Sequence, residues 1–333
     1  MPTSTNIQVD PRGDLSLRLF PENDAEPTIF ITSSLTLARA SSVFDRMLYG
    51  EFAEAKPRDI ESGEWVVTLP DQKPKPMHTW LNILHGHFQK VPTVVTIDEL
   101  YDLTVLTNYF DATMSLIPWI EKWMAFIDIN DIRSDQGGLM AKFLWIAWEV
   151  GEKDDFAIVS RRMLMELGSS ELEESFQALT QPTPPDIFER IAAIRIQTCQ
   201  ALLNIFREMA DNLIVVDERV RWCRYHTWMG HHRCESMILG SMTFCLTRAG
   251  LWPLPDGREL EESVLGLYGK LTTLVIHDIG KADENPEANH RDCNPGPYLL
   301  EQVQSVMRDM PSPVSSFHIE HMEKQAKNLY PSE

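Results

Sequence analysis

The chain has 333 residues, a mass of 38.2 kDa and a formal charge of −19, from 30 Lys and Arg against 49 Asp and Glu. Apolar residues at 43% and charged residues at 24% suit a chain that buries a core, which excludes wholesale disorder and fibrous repeats. So acidic a surface repels phosphate backbones and anionic lipid, so neither nucleic acid nor a membrane is an expected partner, and the length favours two domains.

The first fourteen residues carry no basic segment leading into an apolar run, so no signal peptide is expected. No uninterrupted stretch of about 18 apolar residues occurs. The greasiest segment, 139–150, is broken by Lys142 and Glu149. Five cysteines without an export signal are expected as reduced thiols. Together these features describe an intracellular protein, cytoplasmic, nuclear or both.

In chain order, residues 1–11 show no pattern and are expected to be disordered. Leu15, Leu17 and Leu19 alternate with Ser16 and Arg18, a half-buried strand by its period of two. A turn-rich PENDAEP separates it from a second strand at 28–32, and the pair reads as a hairpin. Ser33 or Ser34, then Ser41 or Ser42, can cap two short helices, the second closing at Gly50. A β-branched strand at 65–69 follows, then helices near 76–87, 97–110 and 114–126. The order ββααβααα is that of a mixed sheet covered by helices rather than alternating βαβ units.

Beyond residue 127 strand signals nearly vanish. Residues 139–150 are apolar on all sides, as in a buried helix. Phe156, Val159, Met163 and Leu167 recur at helical spacing, and Ser170 with Glu173 has capping-box spacing. After a Pro-rich linker at 182–185, one apolar face runs from Ile187 to Met209, a helix roughly 35–40 Å long. Further helices are expected at 235–249, 262–275, 298–310 and 315–330, with 283–297 as the loop richest in breakers.

The runs GDLSLRLF (13–20), FITSSLTLARASSVFDRMLYGEFAEA (30–55) and VVTLPD (66–71) resemble a BTB/POZ domain. LNILHGHFQKVP (81–92), LYDLTVLTNYFDA (100–112) and PWIEKW (118–123) resemble the fungal branch of that family, and the likeness covers about 12–126. Three later stretches, 234–255, 290–303 and 313–326, resemble the helical extension of those fungal proteins. The chain departs from the family at Thr32, Ser33 and Ser34, where many members carry a histidine–lysine pair. The resemblance implies an α+β BTB/POZ domain (12–126) followed by an all-α domain (127–333). It also implies a non-catalytic protein–protein interaction module that forms a homodimer through its BTB part. In members that are substrate adaptors of cullin-type ubiquitin ligases, a hydrophobic-x-glutamate follows the second helix. Phe52-Ala53-Glu54 stands there, an apolar anchor beside an orienting carboxylate.

Three other patterns bear on chemistry. Cys223, His226, His231, His232 and Cys234, with His290 and Cys293 downstream, are ligand types for tetrahedral zinc. His290-x-x-Cys293 is a proper pair that Cys223 or Cys234 could complete with a neighbour. The set lacks any Cys-x-x-Cys and is widely spread, so these are read as surface histidines and buried cysteines, with no metal or cofactor assigned. Cys199 and Cys245 fall on apolar helical faces and read as core thiols. LVIHDIGK (274–281) resembles the His277–Asp278 doublet of HD-type metal-dependent phosphohydrolases, with His231 or His232 upstream and Asp283, His290 or Asp292 downstream as possible partners. That enzyme is the alternative function. Finally, Arg219, Arg221, Arg224 and Arg233 interleave with Trp222, Tyr225 and Trp228. The pattern could stack bases, but in so acidic a chain it reads as the wet and core faces of one helix.

Overall fold

The computed structural model describes residues 5–20, 26–56, 64–132, 137–179, 183–214, 222–225, 230–282 and 285–329. By compactness the chain divides into two units: 1–159 with 177–185 and 315–333, and 160–176 with 186–314. The first unit is mixed α/β, a small sheet followed by helices, and the second is mostly helical.

The first unit's sheet has four strands in the order β1-β3-β2-β4. The expected hairpin is β2 (Leu15–Leu19) antiparallel to β3 (Thr28–Thr32), with Leu17 opposite Phe30. β4 (Val66–Leu69) lies parallel to β2 on its other side. The alternation of β2 is honoured: Leu15, Leu17 and Leu19 are buried while Ser16 and Arg18 are half-buried.

One expectation needs correction. The N-terminal residues are not all without structure, since β1 (Thr5–Gln8) pairs parallel with β3. Its side chains are mostly exposed, so main-chain hydrogen bonding to the open edge of β3 orders it, and a hydrophobic pattern could not reveal it. Buried Val9 anchors the segment, its N–H donating to Ile31 O at 2.9 Å.

The capping serines act as expected. Ser33 Oγ accepts from Thr36 N at the start of α1 (Ser34–Ala40), and Ser41 Oγ accepts from Phe44 N at the start of α2 (Ser42–Tyr49). Ser41 also donates to Phe110 O at 2.5 Å, tying the turn to the end of α4 (Ile97–Tyr109). α3 (Pro74–Leu84), α4 and α5 (Ile117–Ala125) complete the cover. Phe44, Trp80 and Phe110 form an aromatic stack at the centre, with Phe44 and Phe110 4.3 Å apart and nearly parallel. Phe44→Ala at such a site typically costs about 3–5 kcal/mol.

The first unit runs past residue 126. α6 (Gly137–Val150) packs on α4, and α13 (Ser316–Leu329) packs on α6. Trp148 of α6 stacks on His321 of α13 with ring centres 3.8 Å apart. His318 of α13 is buried, its Nε2 bonded to Pro185 O at 2.7 Å. Gly151, at φ +80°, ends α6, and a Cβ there would sit 2.6 Å from Ala326 N. Only glycine serves this turn.

α7 (Lys153–Glu166) leads to α8 (Ser169–Gln177). The expected Ser170–Glu173 capping box is replaced two residues earlier by Glu171, which accepts from Gly168 N at 2.7 Å. In the second unit α9 (Ile187–Ile214) is the 28-residue central helix. α10 (Gly230–Arg248), α11 (Val264–Thr272) and α12 (Gly296–Arg308) pack against it. The 283–297 loop is not structureless: β5 (Lys281–Ala282) and β6 (Asn285–Asn289) pair as a two-stranded ribbon. Backbone pairing rather than side-chain pattern makes it, as for β1. Among the described residues no helix is long and apolar enough to cross a membrane.

Candidate metal centre

Cys223, Cys234, His290 and Cys293 converge in the second unit. All four are buried, and their ligand atoms lie within 4.8 Å of one another. Three chain segments deliver them. His290 and Cys293 are the first and last residues of a 3₁₀ turn. In that geometry positions i and i+3 eclipse, so both side chains leave the turn on one side. Cys234 sits in the first turns of α10, and Cys223 comes from the short stretch 222–225.

A web of polar contacts fixes these segments to one another. Glu235 Oε1 accepts from both Trp222 N (2.7 Å) and Cys223 N (3.0 Å), tying the stretch to α10. Trp222 Nε1 donates to Cys293 O (2.6 Å), and Tyr225 OH donates to Asp292 (2.8 Å). Gly280 O accepts from His290 N at 2.8 Å. The ligand geometry therefore rests on a preformed frame.

Within the cluster, His290 Nδ1 is 3.5 Å from Cys223 Sγ and 4.0 Å from Cys293 Sγ. Arg224 N–H points at Cys293 Sγ from 3.4 Å, a donor suited to an anionic sulfur. His290 is fully buried, and its Nε2 has no hydrogen-bond partner among the described residues. Burial pushes the Cys223 and Cys234 thiols up, and each sulfur's charge would further raise its neighbours. Three thiols this close resist ionising together unless a cation neutralises them. With three sulfurs and one imidazole the set is complete for tetrahedral coordination and leaves no open position for a substrate.

The sequence pattern named these four residues among others, and the structure selects. Both Cys223 and Cys234 join the His290–Cys293 pair; the cysteines are buried as expected, whereas His290, read as a surface histidine, is buried too. His232 is exposed on α10, while His226 and the side chain of His231 lie outside the described residues. Cys199 is a buried core thiol as expected. Cys245 is not: it is half-exposed and its thiol donates to Val275 O at 2.9 Å. The convergence was invisible to motif reading because Cys223 and His290 are 67 residues apart.

The His277–Asp278 doublet occupies an extended loop after α11, which ends at Thr272. Asp278 accepts from Gly280 N (2.9 Å) and Asn294 Nδ2 (3.1 Å), so it braces the loop beside the cysteine cluster. His277 is exposed, and its N–H donates to Ser241 Oγ at 2.8 Å. Of its expected helpers, His290 belongs to the cysteine cluster, Asp292 to Tyr225, and Asp283 lies outside the described residues. Among the described residues the doublet gathers no further metal-binding side chains.

The arginine–aromatic stretch is not one helix: 222–225 is a loop, Arg233 lies exposed on α10, and Arg219, Arg221 and Trp228 lie outside the described residues. Trp222 and Tyr225 are spent on the frame of the cluster.

In the first unit, Phe52 and Glu54 are both exposed, Phe52 by 61%. They sit on a tight turn after α2 that is pinned by three hydrogen bonds. Ala55 N donates to Phe52 O (3.1 Å), Lys56 N to Leu48 O (2.9 Å), and Trp65 Nε1 to Glu54 O (2.9 Å).

No protein-family model and no curated protein matches this chain.

Proposed function

We propose that this chain is a non-catalytic protein–protein interaction module, an adaptor or scaffold, whose N-terminal unit is of the BTB/POZ type. The observation that carries the reading is Phe52, a large aromatic side chain held out in solvent on a turn whose backbone is locked. A rigid exposed aromatic flanked by a carboxylate loses little entropy when a partner covers it, which is how binding hot spots work. The sheet and helix order around it supports the BTB/POZ part: an antiparallel β2–β3 pair, β4 parallel to β2, and α1 and α2 between β3 and β4.

Self-association through the N-terminal unit is supported by two surfaces. β1 lies at the sheet edge with most of its side chains exposed, and Leu35 of α1 is 56% exposed. The narrower role is that of a substrate adaptor on a cullin-type scaffold, with Phe52 as the anchor and Glu54 as its orienting charge. Affinity purification of the chain from its native cell, with and without Phe52→Ala plus Glu54→Ala, tests the role. Loss of a cullin from the double variant supports the adaptor; undiminished recovery removes it. Light scattering of the purified protein decides between homodimer and monomer.

A further inference from the structure

We propose that Cys223, Cys234, His290 and Cys293 form a structural zinc centre that clasps the 222–225 stretch, α10 and the 290–293 turn into one body. The inference is independent of the interaction role proposed above. It rests on geometry and on chemistry.

The geometry suits a single ion. With zinc–sulfur bonds of about 2.3 Å and zinc–nitrogen bonds of about 2.0–2.1 Å, a tetrahedral site has sulfur–nitrogen edges near 3.6 Å. The two such edges described here, 3.5 Å from Cys223 and 4.0 Å from Cys293, bracket that value. All six edges are within 4.8 Å, so the four atoms form one group compact enough for a single ion to draw together.

The chemistry suits zinc. Three sulfurs and an imidazole favour a borderline-soft ion without a demand for octahedral oxygen, which disfavours magnesium and calcium. Burial of every ligand and, among the described residues, the absence of a fifth ligand-type side chain in the group describe a closed structural site rather than a catalytic one. Binding releases the three thiol protons to solvent, and Zn²⁺ with three thiolates and a neutral imidazole leaves the centre at −1. The Arg224 N–H aimed at Cys293 Sγ is placed to stabilise that charge.

The location gives the ion its purpose. Cys223 lies next to Trp222 and Arg224 in a stretch with no helix or strand of its own, and 67 residues separate it from His290. Closing a loop of that length is what a metal clip does best, since the unfolded chain loses the most freedom. Hydrogen bonds from Trp222 and Tyr225 orient the stretch, and the ion would hold it.

The test is metal analysis of the full-length protein purified without chelator from zinc-supplemented cells. One zinc per chain that survives gel filtration is expected, with cobalt exchange giving the intense visible bands of tetrahedral thiolate-bound cobalt. Cys245→Ser, at a cysteine outside the cluster, should keep the full zinc content, and Cys234→Ser should lose most of it. If Cys234→Ser proves insoluble, X-ray absorption of the wild-type protein replaces it, with a first shell of three sulfurs and one nitrogen expected. Folded wild-type protein that carries no zinc and takes none up overturns the proposal. So does an iron–sulfur absorption spectrum, or an oxygen-rich first shell.

Discussion

Cys223 Sγ and His290 Nδ1 meet at 3.5 Å, although 67 residues of chain separate them. The stretch carrying the one and the turn carrying the other are joined by the Trp222 and Tyr225 side chains, so the approach is built by several contacts rather than by one. The behaviour of the second unit toward metals follows from it.

A strong chelator in excess should lower the melting temperature of the second unit and leave the first unit's transition in place. A ligand held at a thousand times its dissociation constant stabilises by about 4 kcal/mol, so the drop should be several degrees. Two-transition calorimetry with and without chelator, followed by re-addition of zinc, measures it. An unchanged upper and lower transition would count against a metal clasp.

Phe52→Ala and Glu54→Ala should alter binding without altering the fold. Both side chains are exposed and neither belongs to a core, so each change should shift stability by no more than about 0.5 kcal/mol. Circular dichroism and thermal melts are expected to superimpose on the wild type. A large loss of stability would show that Phe52 packs in solution instead of facing solvent.

Arg195 is buried in α9 and donates through Nη2 to Leu260 O (2.6 Å) and Glu262 O (2.7 Å). Those bonds stitch α9 to the segment before α11. Arg195→Met keeps much of the volume but strands two carbonyls, so a loss of about 2–4 kcal/mol is expected in urea unfolding of the second unit. A loss under about 0.5 kcal/mol would mean that water replaces the guanidinium.

Glu149 gives the first unit a pH-dependent stability. Burial pushes its carboxyl up to about 7, against hydrogen bonds from Thr113 Oγ1 (2.5 Å) and Asn108 Nδ2 (3.0 Å) that favour the charged form, while Asp111 adds to the rise. The folded state therefore holds this proton more tightly than the unfolded chain. The stabilisation is complete below the ordinary value of 4.5 and is lost as pH climbs from there to about 7. The full effect is on the order of 3 kcal/mol. Glu149→Gln should flatten this part of the profile and melt above the wild type at pH 8. Parallel wild-type and variant profiles from pH 5 to 8 would show that the group ionises freely in the fold.

Much of the first unit was legible because its signals are local. The two-residue alternation of Leu15, Leu17 and Leu19 and the serine caps at 33 and 41 are written in neighbouring residues. β1 and the β5–β6 ribbon left no such trace, since a strand made by hydrogen bonding to an existing edge needs no pattern of its own. The Ser170–Glu173 spacing was misleading because Glu171 reached Gly168 N first. The HD-like doublet shows the reverse error: a familiar pair of residues can be present while the fold uses Asp278 to brace a loop.

The sequence by itself determined the acidic charge, the strand hairpin, the long apolar face of α9 and the inventory of sulfur and imidazole groups, because composition and short-range periodicity need no partner to be read. Only the tertiary structure decided which of those groups share a site, that Phe52 stands out in solvent, and that α6 and α13 belong with the sheet. Proximity between residues distant in sequence is a product of packing, and packing sums many weak contacts that no local spacing encodes.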